Sequence, residues 1–125
     1  MATVAVLMER MTDLADRRCA ACRPGTPPLD DDAIQRLLTE VPEWEVVRPA
    51  GAPARLRRAL KFATFADALA FANRVGALAD AEDHHPELHV SWGRLGIETW
   101  THSVGGLSEN DFILAAKIDR ASGKP

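Results

Sequence analysis

Two alternating runs flanking a glycine turn constrain this chain more than any other feature. Leu88, Val90 and Trp92 alternate with His89 and Ser91. After Gly93-Arg94, a second run sets Leu95, Ile97, Thr99 and Thr101 on one face and Gly96, Glu98, Trp100 and His102 on the other. Period-two patterning on both sides of a tight turn predicts an antiparallel hairpin with one buried face. Such a hairpin also has a chemical consequence. The start of its first strand lies beside the end of its second, so His84 and His85, just upstream, are carried towards His102.

The remaining elements follow from caps and periods. Asp30-Asp31-Asp32 places acid at a helix start, and Ile34, Leu37, Leu38 and Val41 repeat at helical spacing, with Leu29 and Ile34 as a hydrophobic staple and Pro42 as the stop. Trp44 to Val47 and Leu56 to Phe62 read as two strands joined by a Pro/Gly turn, hence antiparallel. Thr64 to Asp67 resembles a capping box. Behind it Phe65, Leu69, Ala72, Val75, Gly76 and Ala79 trace the apolar stripe of a long helix. Gly105-Gly106 breaks the chain before a last helix with a Ser108 cap, acid at Asp111 and a Leu107 to Phe112 staple. The order α-β-β-α-β-β-α predicts an α+β domain, a four-stranded antiparallel sheet with about three helices on one face.

A chain of 125 residues, 46% hydrophobic, supports one compact domain, here 29–121, between an arm at 1–28 read as flexible and a tail at 122–125 read as disordered. The net charge of -3 and scattered basic residues give no footprint for nucleic acid or an anionic membrane. The one basic concentration, Arg55, Arg57, Arg58 and Lys61, reads as a solvated strand face. No stretch is long enough for a membrane span. The apolar Val4 to Met8 run lacks the flanks of a signal peptide, so a cytoplasmic location is expected, and Met8 and Met11 leave the start codon open. Cys19 and Cys22 form one CxxC in a segment without hydrophobic period. That is half of a tetrahedral zinc shell, without the flanking strand and helix of a thioredoxin-like site, so incidental thiols, a shared metal site and a redox pair all stay open.

The chemistry concentrates around the histidines. Imidazole titrates near neutrality, so His84, His85 and His102 brought together suit reversible proton transfer. Asp80, one turn before His84, and Asp111, at a helix N-terminus, are carboxylates placed to orient an imidazole. Blander readings exist for each: adjacent histidines as surface loop residues, Asp111 as a cap, Trp92 and Trp100 as core or interface aromatics, His89 as exposed. A metal site is the competing use of three histidines, and it loses weight because neighbours in sequence rarely reach one ion without strain.

Asp80, His84-His85-Pro86, Trp92, His102 and Asp111 together resemble the signature of the pterin-4a-carbinolamine dehydratases (4a-hydroxytetrahydrobiopterin dehydratases). The resemblance runs from about residue 29 to 119 and takes in Trp44 and the segment Gly105 to Asp111. It implies a hydro-lyase that converts 4a-hydroxytetrahydrobiopterin to quinonoid dihydropterin and water, recycling the cofactor of an aromatic amino acid hydroxylase. By the same resemblance His84, His85 and His102 are catalytic. Asp83, His84, His85, Trp100, Thr101, His102 and Ser103 contact substrate, with Asp80 and Asp111 supporting. No metal and no cofactor are implied; the pterin is substrate, and which histidine is acid and which base stays open. Family members form dimers and tetramers, some partner transcription factors, and some relatives are silent assembly factors, so a homodimer or homotetramer and a non-catalytic partner role are also expectations. The departures are Asp80 for the Glu common in animal members, Asn110 where those carry Arg, and Trp100 in place of a small residue.

Overall fold

A computed structural model describes residues 13–23 and 25–123. A 3-10 turn (Leu14–Asp16) precedes helix α1 (Asp31–Leu38), strands β1 (Glu45–Val47) and β2 (Arg55–Lys61), and the long helix α2 (Phe65–Glu82). Strands β3 (Glu87–Ser91) and β4 (Arg94–Thr99), a second 3-10 turn (His102–Val104) and helix α3 (Glu109–Ala121) complete the chain. The expected α+β architecture is therefore present. The strands form one antiparallel sheet in the order β1-β2-β4-β3.

The hairpin sits where the alternation placed it. Glu87 pairs with Glu98, Leu88 with Ile97 and Val90 with Leu95. Leu95, Ile97 and Thr99 turn inward with no exposed surface, against Leu56 and Leu60 of β2 and the helix layer. Gly93 closes the turn at φ +70, and a Cβ there would lie 3.1 Å from the Phe62 carbonyl, whose own N–H donates to Gly93 at 2.8 Å. The tip of the hairpin is thereby tied to the end of β2.

The caps form as read. Asp30 accepts from the Ala33 N–H, Thr64 accepts from the Asp67 N–H, and Ser108 and Asp111 make a reciprocal capping box. The stripe of α2 is rotated from the expected one. Ala68, Phe71, Ala72, Val75 and Ala79 are buried, whereas Phe65 and Leu69 stand 47% and 44% exposed. The sheet selects the arc that carries Phe71, whose ring packs 5.7 Å from that of Phe62. Trp92, expected in a core or interface, is 79% exposed in this chain, in the turn between β3 and β4.

Arg58 corrects the reading of a solvated basic face. Alternation along β2 sends Arg55, Arg57 and Lys61 outward but Arg58 inward, where it pairs with Asp119, which also accepts from Trp44 Nε1 at 2.8 Å. The segment 13–23, read as part of a flexible arm, is seated on α3. Leu14 is buried in the core, Lys117 donates to the Ala15 carbonyl at 2.9 Å, and Arg120 pairs with Asp16 at 2.9 Å. The Val4 to Met8 run, Met8 and Met11 lie outside the described residues.

Candidate active site

Helix α2 ends in a Schellman arrangement. The His84 N–H donates to Ala79 O at 3.1 Å, the Asp83 N–H to Asp80 O at 3.3 Å, and Asp83 takes the left-handed conformation at φ 51. Among the described residues Asp83 is the one non-glycine at positive φ. That turn swings the chain from the helix into β3 and delivers His84 towards the N-terminus of α3.

There His84 Nε2 meets Asp111 Oδ1 at 2.7 Å. Asp111 has no exposed surface and is the centre of the network. Its Oδ1 also accepts from Thr99 Oγ1 at 2.7 Å, and its Oδ2 accepts from Thr101 Oγ1 at 2.8 Å and from the Ser108 N–H at 3.0 Å. An ionised carboxylate only accepts, so Nε2 of His84 carries a proton and Nδ1 is left to the cleft. Thr101 spends its proton on Asp111, so in the 2.6 Å contact between Thr101 Oγ1 and Ser108 Oγ the serine donates. Four donors converging on one buried carboxylate fix the ring plane and tautomer of His84.

Thr101 is held by a small closed loop. Its N–H donates to Gly106 O at 2.8 Å, and Gly105 takes φ 69 after the 3-10 turn. This loop and the end of α2 border a cleft of about 390 Å3, within the range of small-molecule sites. Its lining includes Asp83, His84, Thr101 and Ser103, together with Cys19 to Cys22, Glu82 and Asn110.

The other expected residues sit around that cleft rather than in it. His85, its side chain 58% exposed, contacts Asp80 Oδ1 at 3.0 Å and borders a neighbouring groove with Gly76, Pro86 and Leu88. His102 is exposed at the start of its 3-10 turn, with its ring 5.0 Å from that of Trp100. Trp100 lies beneath the Arg55 guanidinium at 4.1 Å, on the open face of the sheet. The hairpin thus brings the three histidines to one end of the sheet but gives them different outlooks. Composition and spacing did not flag Glu82, Thr99 or Ser108 as site residues. Thr99 was legible only as an inward strand position, and Ser108 only as a cap.

One further group of ligating atoms exists among the described residues. Glu87, His89 and Glu98 converge on the open face, where Arg55 also reaches Glu98 at 3.4 Å. A guanidinium already sharing the most buried of those carboxylates competes with any cation there.

Comparison with known proteins points to one family. The family model described as pterin 4 alpha carbinolamine dehydratase matches residues 27–121. A Chlorobium limicola protein, provisionally named pterin-4-alpha-carbinolamine dehydratase, is 52% identical over 107 residues, covering 86% of this chain and 94% of its own. A Rubrobacter xylanophilus protein of the same provisional name is 44% identical over 110 residues, covering 88% and 99%. Among solved structures, a transcriptional coactivator/pterin dehydratase from Brucella melitensis superposes with a TM-score of 0.67 at 28% identity, covering 74% of this chain and 96% of its own. A pterin dehydratase-like RuBisCO assembly factor of the alpha-carboxysome shares the fold, with a TM-score of 0.55 at 21% identity over 66% of this chain and 93% of its own. With the family model spanning most of its length, this chain belongs to the pterin 4 alpha carbinolamine dehydratase family of hydro-lyases.

Proposed function

We propose that this protein dehydrates 4a-hydroxytetrahydrobiopterin to quinonoid dihydropterin and water, in the recycling of a pterin cofactor. The observation that carries the reading is the His84–Asp111 pair, a cleft-lining imidazole held by a fully buried carboxylate, in a chain matched along the family domain. The 4a-hydroxyl is a poor leaving group until it is protonated. His84, with Nε2 anchored, offers Nδ1 as the atom that gives this proton and later recovers it. As water leaves, the electrons of a ring nitrogen form the new double bond and that nitrogen releases its proton. A positioned acid and a positioned base are each worth roughly 10² to 10⁴ in rate.

Asp83 and Ser103 line the cleft and are assigned to the polar edge of the heterocycle, while Thr101 holds the Asp111 carboxylate behind it. His85 with Asp80, and His102 with its ring tilted against Trp100, flank the cleft and are assigned to the second proton and to substrate orientation. The oxidation state is unchanged, so acid–base groups alone balance the reaction.

The test is the decay of chemically generated 4a-hydroxytetrahydropterin followed by stopped flow. The wild type should accelerate decay over buffer, and His84→Ala should lose roughly 10² to 10⁴ of that acceleration. His85→Ala and His102→Ala should lose less. Decay no faster than in buffer with the wild type refutes the reading, and a fully active His84→Ala removes His84 from the chemistry.

A partner-binding role is the second reading. Phe65 and Leu69 leave an apolar patch on α2, and the Brucella melitensis protein is named a coactivator as well as a dehydratase. We infer self-association, as a dimer or tetramer, from the same patch and from the edges of β1 and β3, which pair with no further strand among the described residues. Sedimentation of the wild type beside Leu69→Glu checks this.

A further inference from the structure

One wall of the His84 cleft is built from Cys19, Ala20, Ala21 and Cys22, upstream of the residues that the family model matches. Asn110 holds the middle of that wall. Asn110, 9% exposed, donates from Nδ2 to the Ala20 carbonyl at 2.6 Å and accepts the Ala20 N–H on Oδ1 at 3.0 Å. Both thiols adjoin the same residue: Cys19 Sγ donates to the Asn110 carbonyl at 3.5 Å, and Asn110 Nδ2 lies 3.8 Å from Cys22 Sγ. Glu82 fastens the other side by accepting the Cys19 N–H at 2.9 Å.

This clamp sets the backbone geometry. One amide grips both the N–H and the C=O of a residue only when that residue is extended, and residues 18–23 contain no turn or bend. A fully extended span from Cys19 to Cys22 would separate its end Cα atoms by at most about 10 Å, and the clamp on Ala20, with no turn or bend across 18–23, holds the span towards that open limit. A disulfide needs them roughly 4.4 to 6.8 Å apart. The clamped wall and a Cys19–Cys22 bond therefore exclude each other: the loop must curl to close the bond, and curling pulls Ala20 off Asn110.

We propose that Cys19 and Cys22 form a redox-active dithiol site whose co-reactant is a small-molecule disulfide, and that its oxidation detaches the cleft wall and weakens binding in the cleft. The chemistry balances. Cys22 thiolate attacks one sulfur of the co-reactant and expels the first thiolate. Cys19 then loses its proton to water, attacks the Cys22 sulfur and expels the second. Two protein thiols are oxidised and one disulfide is reduced to two thiols. Burial, with Glu82 beside it, pushes the Cys19 thiol up to about 12, which keeps it protonated in the clamped loop and leaves the first attack to Cys22. A metal is the poorer co-ligand, since among the described residues the thiols join no group of three ligating atoms within mutual reach.

The substrate readout rests on the dehydratase reading, so the test carries two others. The full chain is treated with oxidised glutathione, then examined by intact mass, by hydrogen exchange over residues 13–23 and by KM for 4a-hydroxytetrahydropterin. Wild type should lose about 2 Da as two thiols become a disulfide. It should then exchange faster over 13–23 and show a KM raised about tenfold, as when hydrogen bonds shaping a site are lost. Dithiothreitol should reverse all three, and Cys22→Ser should show the same KM with and without oxidant. A disulfide that forms with exchange or KM unchanged overturns the proposal, as does failure to form one. If the reduced wild type has no turnover, the dehydratase reading fails, while mass and exchange still judge the dithiol site.

Discussion

At the scale of single residues, burial and hydrogen bonding separate side chains that look alike in sequence. Asp80 and Asp111 are both acids near the histidines, yet the Asp80 side chain is 82% exposed and that of Asp111 is fully buried. Only the second can fix an imidazole, because water competes for the first. Asp111→Asn tests this with almost no change in volume. The amide replaces one accepting oxygen with a donor, which then faces Thr99, Thr101, the Ser108 N–H or His84. At least one buried donor loses its acceptor, costing roughly 1 to 3 kcal/mol of stability, and the His84 tautomer is no longer held, lowering kcat by about 10². Urea unfolding and stopped-flow turnover measure the two effects separately. Turnover equal to wild type would show that Asp111 serves only as a cap. The spacing of His84 and Asp111 was legible in the sequence, as was the Ser108 capping box. Arg58 was not, because the Asp119 that neutralises it lies on another element, far along the chain.

At the scale of elements, polar caps were more legible than apolar faces. Asp30, Thr64 and Ser108 each begin a helix through a bond to a backbone N–H three residues on, a local geometry that sequence states directly. The buried arc of α2 depends on what packs above it. Leu69 and Phe71 are equally apolar, and only the position of the sheet decides that Phe71 goes inside. The end of α2 shows a different compromise. Asp83 sits in a conformation that favours glycine, directly before the residue proposed as the catalytic acid. Asp83→Gly should therefore stabilise the fold by roughly 0.5 to 1 kcal/mol, seen as a higher urea midpoint, while raising KM through loss of a cleft-lining carboxylate. A destabilised Asp83→Gly protein would mean that the carboxylate contributes more than the backbone strain costs.

At the scale of the whole molecule, the sheet and its three helices supply a rigid frame. The segment 13–23 then closes one side of the cleft that this frame leaves open. Its lack of hydrophobic period hid this role, since it docks through one apolar anchor and several scattered polar bonds. Leu14, 2% exposed and packed with the core, is that anchor; the Lys117, Arg120 and Asn110 contacts follow along α3. A Leu to Ala change in a core costs about 2 to 5 kcal/mol. Here the loss is limited by how firmly the segment is docked, because it can detach while the sheet and helices stay folded. Leu14→Ala should therefore lower the global urea midpoint only slightly. It should raise hydrogen exchange across 13–23 sharply and raise KM for the pterin with kcat little changed, since the His84–Asp111 pair lies on the frame and not on the segment. A global destabilisation with no selective exchange would show instead that the segment folds as one cooperative unit with the domain, and that the cleft wall cannot move independently of it.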